Sequence, residues 1–385
     1  MKLNKVKNIK GLHIVPHIKE EASGPTYSVV RLCEELTKMG EQVTLITLGS
    51  RNRNIKFHTA YKRIALFSKL GVSMLMKKDI YNLAYSKDID YIHSHGLWEM
   101  PSIYAGYASA KYSIPLIVSP RGALSEMALK TGSKRLKKIF WVLFQKKMLN
   151  SADYFHATSY EEYKDIRRMG FDQPVAIIPN GIGKKKYIKK QHNEFKNLLY
   201  LGRIHPIKGL ENLLHAWSKV QSRFPDWNLK IAGPGSEKYI KKIKQISINL
   251  NLNRVTFYPA LYGDLKWQAY REASLHILPS YSENFGMTVV ESLSVGTPVI
   301  TTTGTPWSKL KSMHAGFWID NDVESIKKCL IQSMNTPSDA LEEMGMNGYK
   351  WVRNEFSWEI VSNQMQNTYM YLLKKNNEKP KELRF

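Results

Sequence analysis

SLHILPSYSENFGMTVVESLSVGTPVITT, residues 274–302, reads as strand, glycine-bearing loop, helix, tight turn and strand. The runs SLHILPS (274–280) and TPVITT (297–302) have the length and apolar content of buried strands, and the stretch between them has room for a crossover helix. Parallel strands need such a crossover, so the segment is one βαβ unit. Outward from it, the same rhythm continues through NLLYLG (197–202), WNLKIAG (227–233) and RVTFYP (254–259). An earlier series holds GLHIVPHI (11–18), QVTLITL (42–48), IDYIHS (89–94), IPLIVS (114–119), DYFHAT (153–158) and PVAIIP (174–179). Strands alternating with helical patterns throughout predict an α/β protein with two doubly wound, Rossmann-like domains.

At 385 residues the chain exceeds one ordinary core and suits two domains of about 150 to 200 residues. After Gly183 the run KKKYIKKQHNEFKN is polar, basic and without amphipathic period, which marks a linker. The expected organisation is a first domain over 1–185, a linker over 186–196 and a second domain over 197–365. The last helical stretch, SWEIVSNQMQNTYMYLLKK (357–375), repeats apolar residues at helical spacing, and the segment from about 366 to 385 is expected to pack back on the first domain. Two such sheets facing each other would set the carboxyl ends of their strands around a central cleft, the ligand site of open α/β sheets.

No segment reaches the roughly 18 consecutive apolar residues of a spanning helix. The start, MKLNKVKNIKGLHIVPHI, is basic, but His13, Pro16 and His17 break its apolar part and no small-residue cleavage site follows, so it reads as the first strand. Cys33 and Cys329 are too few for a disulfide framework or a zinc site and suit a reducing cytoplasm, with Cys33 a core thiol. The net charge of +24 implies an anionic partner, with nucleic acid, anionic lipid and phosphorylated sugar all qualifying. Neither a zinc finger nor an RNP-type aromatic stripe supports nucleic acid. A dehydrogenase is disfavoured because no G-x-G-x-x-G follows the first strand.

Within SENFGMTVVESL, Glu283 and Glu291 stand eight positions apart, which puts both carboxylates on nearly one face of a helix or its entry loop. Taken alone, such a pair is usually a solvated face. With Gly286 opening the helix, the same residues offer free backbone N–H groups for phosphate and two acceptors for sugar hydroxyls. GRIHPIKG (202–209) places Arg203 and Lys208 at a strand-to-helix turn, either an ordinary basic surface loop or a clamp for a diphosphate. IAGPGSE (231–237) is a third glycine-rich turn, weak by itself.

In this order, GRIHPIKG, IAGPGSE and PSYSENFGMTVVESLSVGTPVITT resemble the donor-binding domain of the retaining glycosyltransferase family 4, whose fold is GT-B. SGPTYSVVRLCEELTKMGEQVTLIT (23–47) and PNGI (179–182) are similar to its N-terminal domain and closing turn. The resemblance implies a transferase that moves a sugar from a nucleotide-sugar donor, by default UDP-linked, without metal or other cofactor. It implies that Arg203 and Lys208 bind the diphosphate, Glu283 the donor sugar, Glu291 the ribose, and Asn284, Phe285 and Gly286 the loop against sugar and phosphate. Gly24, Gly202, Gly233 and Met287 complete the implied donor set. The family's paired glycines after the first strand read Ser23, Gly24, Pro25 here, and only Gly24 keeps the freedom for close approach. Where relatives carry His-Gly, this chain reads SPRG, so Arg121 is a cation for an acceptor phosphate or hydroxyl network. His95 in IHSHGLW is either a structural histidine or a group at the cleft.

The implied chemistry is front-face departure and attack with retention, in which electrostatic stabilisation of the leaving diphosphate replaces a covalent nucleophile. A GT-B-fold nucleotide-sugar epimerase or hydrolase is the alternative and predicts donor turnover without acceptor. Between Glu126 and Asp153 no acidic residue occurs, and Leu136, Ile139, Phe140, Leu143 and Phe144 share a helical face beside many lysines. That face is either core or an element attracted to anionic lipid. Family members that build O-antigen, capsule or exopolysaccharide act on glycan or polyprenyl-linked acceptors, which implies a cytoplasmic protein peripheral on the inner membrane face.

Overall fold

The computed structural model describes residues 9–18, 24–49, 55–62, 64, 70–131, 133–189 and 194–385. It divides into two compact units, Met1–Gly181 with Trp358–Phe385, and Ile182–Ser357.

The first unit runs β1 (Lys10–Val15), α1 (Gly24–Lys38), β2 (Gln42–Leu48), β3 (His58–Tyr61), α2 (Met74–Tyr85), β4 (Tyr91–His95), α3 (Met100–Tyr112) and β5 (Leu116–Ser119). It continues through α4 (Glu126–Lys130), α5 (Lys134–Phe140), α6 (Lys146–Asn150), β6 (Tyr154–Ala157), α7 (Tyr160–Arg168) and β7 (Val175–Ile177). The second unit holds β8 (Lys196–Leu201), α8 (Leu210–Ser218), β9 (Trp227–Ala232), α9 (Glu237–Asn249), β10 (Val255–Tyr258), α10 (Gly263–Glu272) and β11 (Leu275–Leu278). After these come α11 (Met287–Leu293), β12 (Val299–Thr302), β13 (Gly316–Ile319), α12 (Val323–Met334) and α13 (Ser338–Glu355). The chain then returns to the first unit as α14 (Trp358–Leu372) and β14 (Leu383–Arg384).

In the first unit the strand order is β14-β7-β6-β5-β4-β1-β2-β3, parallel except for β14 against β7. The chain winds one way from β1 to β3 and the other way from β4, so the topological switch point lies between β1 and β4. The second sheet, β10-β9-β8-β11-β12-β13, is wholly parallel and switches between β8 and β11. Strands such as β8, β11 and β12 are buried on both faces, which is why they read as continuous apolar runs. Serine side chains cap many helices: Ser73, Ser125, Ser133, Ser159 and Ser236 each accept from an N–H three residues on.

Each of the eleven strands read from the sequence is present, with its ends within three residues of the reading. The short strands β3, β13 and β14 were not anticipated. The units part at Gly181 and Ile182, ahead of the expected linker, and residues 182–189 belong to the second unit. Tyr187 donates to Glu342 at 2.8 Å, and Lys185 lies 4.0 Å from the Trp267 ring centroid. All of α14 joins the first unit, earlier than the expected position near 366. Gly181 makes this return possible, because a Cβ there would stand 2.4 Å from the Trp358 indole.

The basic segment is one helical stretch interrupted by a π turn over Trp141–Gln145. This turn splits the expected single face. Phe140 and Gln145 are buried and Phe144 packs against the core, whereas Leu136, Ile139, Val142 and Leu143 are between 55% and 68% exposed. Cys33 is buried in α1 as expected, and Cys329 is buried in α12. Among the described residues no helix is long and apolar enough to cross a membrane.

Candidate active site

In the second unit, loops at the carboxyl ends of β8, β9, β11 and β12 close on one another at the switch point. Glycines permit the approach. A Cβ on Gly233 would lie 1.8 Å from the Gly202 carbonyl oxygen, and one on Gly209, at φ 68°, 1.9 Å from the Pro279 carbonyl oxygen. The Tyr281 N–H donates to Ile207 O and the Glu283 N–H to Gly304 O, each at 2.8 Å. These contacts hold the GRIHPIKG turn against the SENFG loop.

Lys208 Nζ is ion-paired to Glu283 Oε1, to which Ser280 Oγ also donates at 2.7 Å. The two side chains are only 16% and 13% exposed. Arg203 is exposed, and its backbone carbonyl accepts from Tyr200 Oη at 2.8 Å. Between these cations stands His205, whose pKa is lowered by partial burial and then by the charges of Arg203 and Lys208. Gly286, at φ 81°, turns the chain into α11, and the carbonyl of Phe285 is held by the Trp307 indole N–H at 2.5 Å. Met287 begins the helix, and Asn284 lies in the loop before it.

Glu283 therefore sits on the entry loop and Glu291 on the helix, and each has its own lysine. Glu291 is buried, with Oε1 accepting from Lys266 Nζ at 2.8 Å and Oε2 from Tyr270 Oη at 3.0 Å. A ribose hydroxyl reaching Glu291 must share these acceptors. The site holds cations and acceptors suited to an anionic, hydroxyl-rich ligand.

In the first unit, Arg121 follows β5 with φ 57°, a conformation that costs a non-glycine residue about 1–2 kcal/mol. Glu162 anchors the turn, accepting from Gly122 N at 2.7 Å and from Thr158 N and Oγ1 at 2.7 and 2.9 Å. Arg121 Nη1 donates to Asn180 Oδ1 at 2.8 Å and Nη2 to His95 Nδ1 at 3.2 Å, both neutral acceptors. His95 is buried, and burial followed by the Arg121 charge holds its pKa well below the ordinary value. It belongs to a polar seam inside the sheet with His13, His93 and His156. His13, His93 and His95 converge closely enough to suggest a cation site. Each of their six ring nitrogens already has a hydrogen-bond partner, and a guanidinium stands beside them, so the donor set does not fit a cation. Gly24 is the first residue of α1, and Ser23 lies outside the described residues.

Comparison with known proteins gives two family matches. The profile of "Glycosyl transferases group 1" covers residues 184–351, and that of "Glycosyltransferase Family 4" covers residues 22–185. An uncharacterized glycosyltransferase of Haemophilus influenzae is 31% identical over 328 residues, which are 82% of this chain and 88% of the relative. The chain belongs to the GT4-type glycosyltransferases. Among solved structures, the sucrose-phosphate synthase of Thermosynechococcus elongatus matches with TM-score 0.75 at 20% identity, covering 96% of this chain and 100% of the other. Anabaena Alr3699/HepE, solved with UDP and glucose, matches with TM-score 0.76 at 16% identity, covering 94% and 99%. At these identities the likeness carries the fold, which is GT-B.

Several groups around the transferase's candidate site escaped the sequence reading. Lys266 and Tyr270 are four apart on α10, a spacing that puts them on one helical face, but nothing in the sequence ties that face to Glu291. The seam left a clearer trace: histidines at the centres of apolar strand runs, in GLHIV, YIHSH and DYFHA.

Proposed function

We propose that this glycosyltransferase is a retaining, metal-independent enzyme that binds a UDP-linked sugar in its second unit and transfers the sugar to a glycan or polyprenyl-linked acceptor of bacterial surface polysaccharide. The observation that carries this reading is the Lys208–Glu283 ion pair at the β8–β11 switch point, with Arg203 exposed on the same turn as Lys208. Lys208 and Arg203 would take the diphosphate, neutralising the charge that grows as the anomeric C–O bond breaks. Glu283 would accept from donor-sugar hydroxyls, and the backbone of Asn284, Phe285, Gly286 and Met287 would lie along sugar and phosphate. The acceptor hydroxyl attacks from the face the diphosphate leaves, forming the glycosidic bond, while its proton passes to a leaving phosphate oxygen. Glu283 and Glu291 are each held by a lysine, which suits binding better than the acid and nucleophile pair of a hydrolase. The UDP and glucose held by the Anabaena neighbour support the choice of nucleotide.

The test is a thermal-shift titration against UDP, GDP and TDP and their sugar conjugates, with and without EDTA. UDP at about one hundred times its dissociation constant stabilises the protein by about 2.7 kcal/mol, and EDTA leaves the shift unchanged. A shift abolished by EDTA overturns metal independence. Donor turnover that needs no acceptor favours the epimerase or hydrolase reading instead.

An acceptor at an anionic membrane surface is the reading that the first unit's basic segment supports. Leu136, Ile139, Val142 and Leu143 are exposed beside Arg135, Lys138, Lys146 and Lys147. A cationic helix with an exposed apolar strip is the composition of an interfacial element. Sedimentation with phosphatidylglycerol vesicles is expected to capture the protein at low salt and release it at high salt. The double substitution Leu136→Ser, Leu143→Ser is expected to weaken capture by about tenfold or more. Equal capture by the variant contradicts the surface assignment.

A further inference from the structure

The seam in the first unit contains a chain of hydrogen bonds whose direction is fixed at every link. Arg121 has only donors, so its Nη2–H requires a lone pair on His95 Nδ1, 3.2 Å away. His95 is held neutral, which leaves its proton on Nε2, and this donates to His13 Nδ1 at 3.1 Å. His13 is likewise neutral, so its Nε2–H donates to Tyr91 Oη at 3.1 Å. The Tyr91 hydroxyl, now accepting, donates onward to Glu41 Oε1. The residues span the sheet from Glu41, just before β2, to Arg121, just after β5. Gly11 makes the passage possible: it pairs with Tyr91 across β1 and β4, and a Cβ on it would lie 2.3 Å from the Tyr91 hydroxyl. A second chain runs beside the first. His156 Nε2–H donates to Ile178 O at 2.8 Å, so Ser119 must donate to His156 Nδ1, His93 Nε2–H to Ser119, and Tyr369 of α14 to His93 Nδ1, each at 2.7 Å.

We infer that His13, Tyr91 and Glu41 are positioning residues for sugar transfer, acting through His95 to hold Arg121 with its free N–H groups presented to an anionic group of the acceptor. The inference rests on the proposed transfer function and gives Arg121 the acceptor-binding role expected from the sequence. Its guanidinium meets only neutral hydrogen-bond partners, and its Nε–H is buried without a partner among the described residues. The Glu162 carboxylate acts on this charge, but its oxygens are taken by Gly122 and Thr158, so the guanidinium has no anionic hydrogen-bond partner and attracts a ligand anion. Were His95 to carry its proton on Nδ1, two N–H groups would face each other and the guanidinium would be displaced. The chain excludes that tautomer because His13 Nδ1 has to accept.

The tautomers give a direct test on the unaltered protein. In a long-range proton–nitrogen NMR spectrum of histidine-labelled protein, His13, His93, His95 and His156 should all appear as Nε2–H tautomers. A proton on Nδ1 of His95 or His13 overturns the inference whether or not the transfer reading stands. For Tyr91→Phe, which cuts the chain, the acceptor KM should rise about tenfold while the thermal shift with UDP is kept. Glu41→Gln, which still accepts from Tyr91, should keep the native acceptor KM. A Tyr91→Phe variant with native acceptor KM, or a Glu41→Gln variant as impaired as Tyr91→Phe, overturns it. Loss of the UDP shift in the native protein would instead count against the donor reading alone.

Discussion

Lys208→Ala is expected to lower the transfer rate by about 10²–10³ while leaving the fold recognisable, because it removes one of two cations facing the leaving diphosphate. The same change leaves Glu283, 13% exposed, without its ion-pair partner. Removing one member of a buried pair costs about 3–5 kcal/mol when burial is complete, so a loss approaching that range is expected here. The two effects separate in the double variant Lys208→Ala, Glu283→Gln. Neutralising the carboxylate relieves its lost compensation, so stability should recover towards the native value, whereas transfer should stay low because the cation is still missing. Denaturant unfolding and a sugar-transfer assay read the two quantities independently. Recovery of both in the double variant would mean that Lys208 serves only to neutralise Glu283, and would remove it from the reaction.

Gly209→Ala should be among the most damaging single methyl groups in the second unit. Gly209 has φ 68°, where an L side chain costs about 1–2 kcal/mol, and the new Cβ would meet the Pro279 carbonyl oxygen at 1.9 Å. That oxygen cannot yield easily, because Asn321 Nδ2 donates to it at 2.7 Å and Tyr281 two residues later is tied to Ile207. Overpacking adds about 1–3 kcal/mol, so a loss of about 2–5 kcal/mol is expected, with a fall in melting temperature of about 4–20 °C. The displaced backbone leads directly into Ser280 and Glu283, so UDP stabilisation should fall with it. Gly40→Ala is the contrasting control, with φ 93° but nothing within 4 Å of the added methyl. A Gly209→Ala protein no less stable than Gly40→Ala would show that the loops are not closed as described.

The fold was legible because parallel strands buried on both faces announce themselves as apolar runs. QVTLITL was read to the residue, and β8, β9, β11 and β12 to within two residues at either end. The four-residue strands HTAY and GFWI were not, since they are too short to show a period, and the two-residue β14 carries no signal at all. The linker was misplaced for a different reason. The lysines and the tyrosine from 184 to 189 look like solvated chain, but Tyr187 and Lys185 lie against the second unit through their apolar parts and tips. Of the candidate site, the members lying in compact motifs were readable. Lys208 and Glu283 pair in the second unit, and Arg203 lies on the same turn as Lys208. The partners of Glu291 were not readable, because Lys266 and Tyr270 reach it from another helix. Nor was the course of the seam from Glu41 to Arg121, whose members come from β1, β4 and the turns beside β2 and β5, and meet only once strand order is known.

The most direct test of the donor assignment is a crystal structure of the protein grown with UDP in the presence of EDTA. The diphosphate is expected against Lys208 and Arg203, with the ribose towards α11 and no cation between phosphate and protein. A nucleotide bound away from these residues, or binding that appears only when a divalent metal is restored, would contradict it.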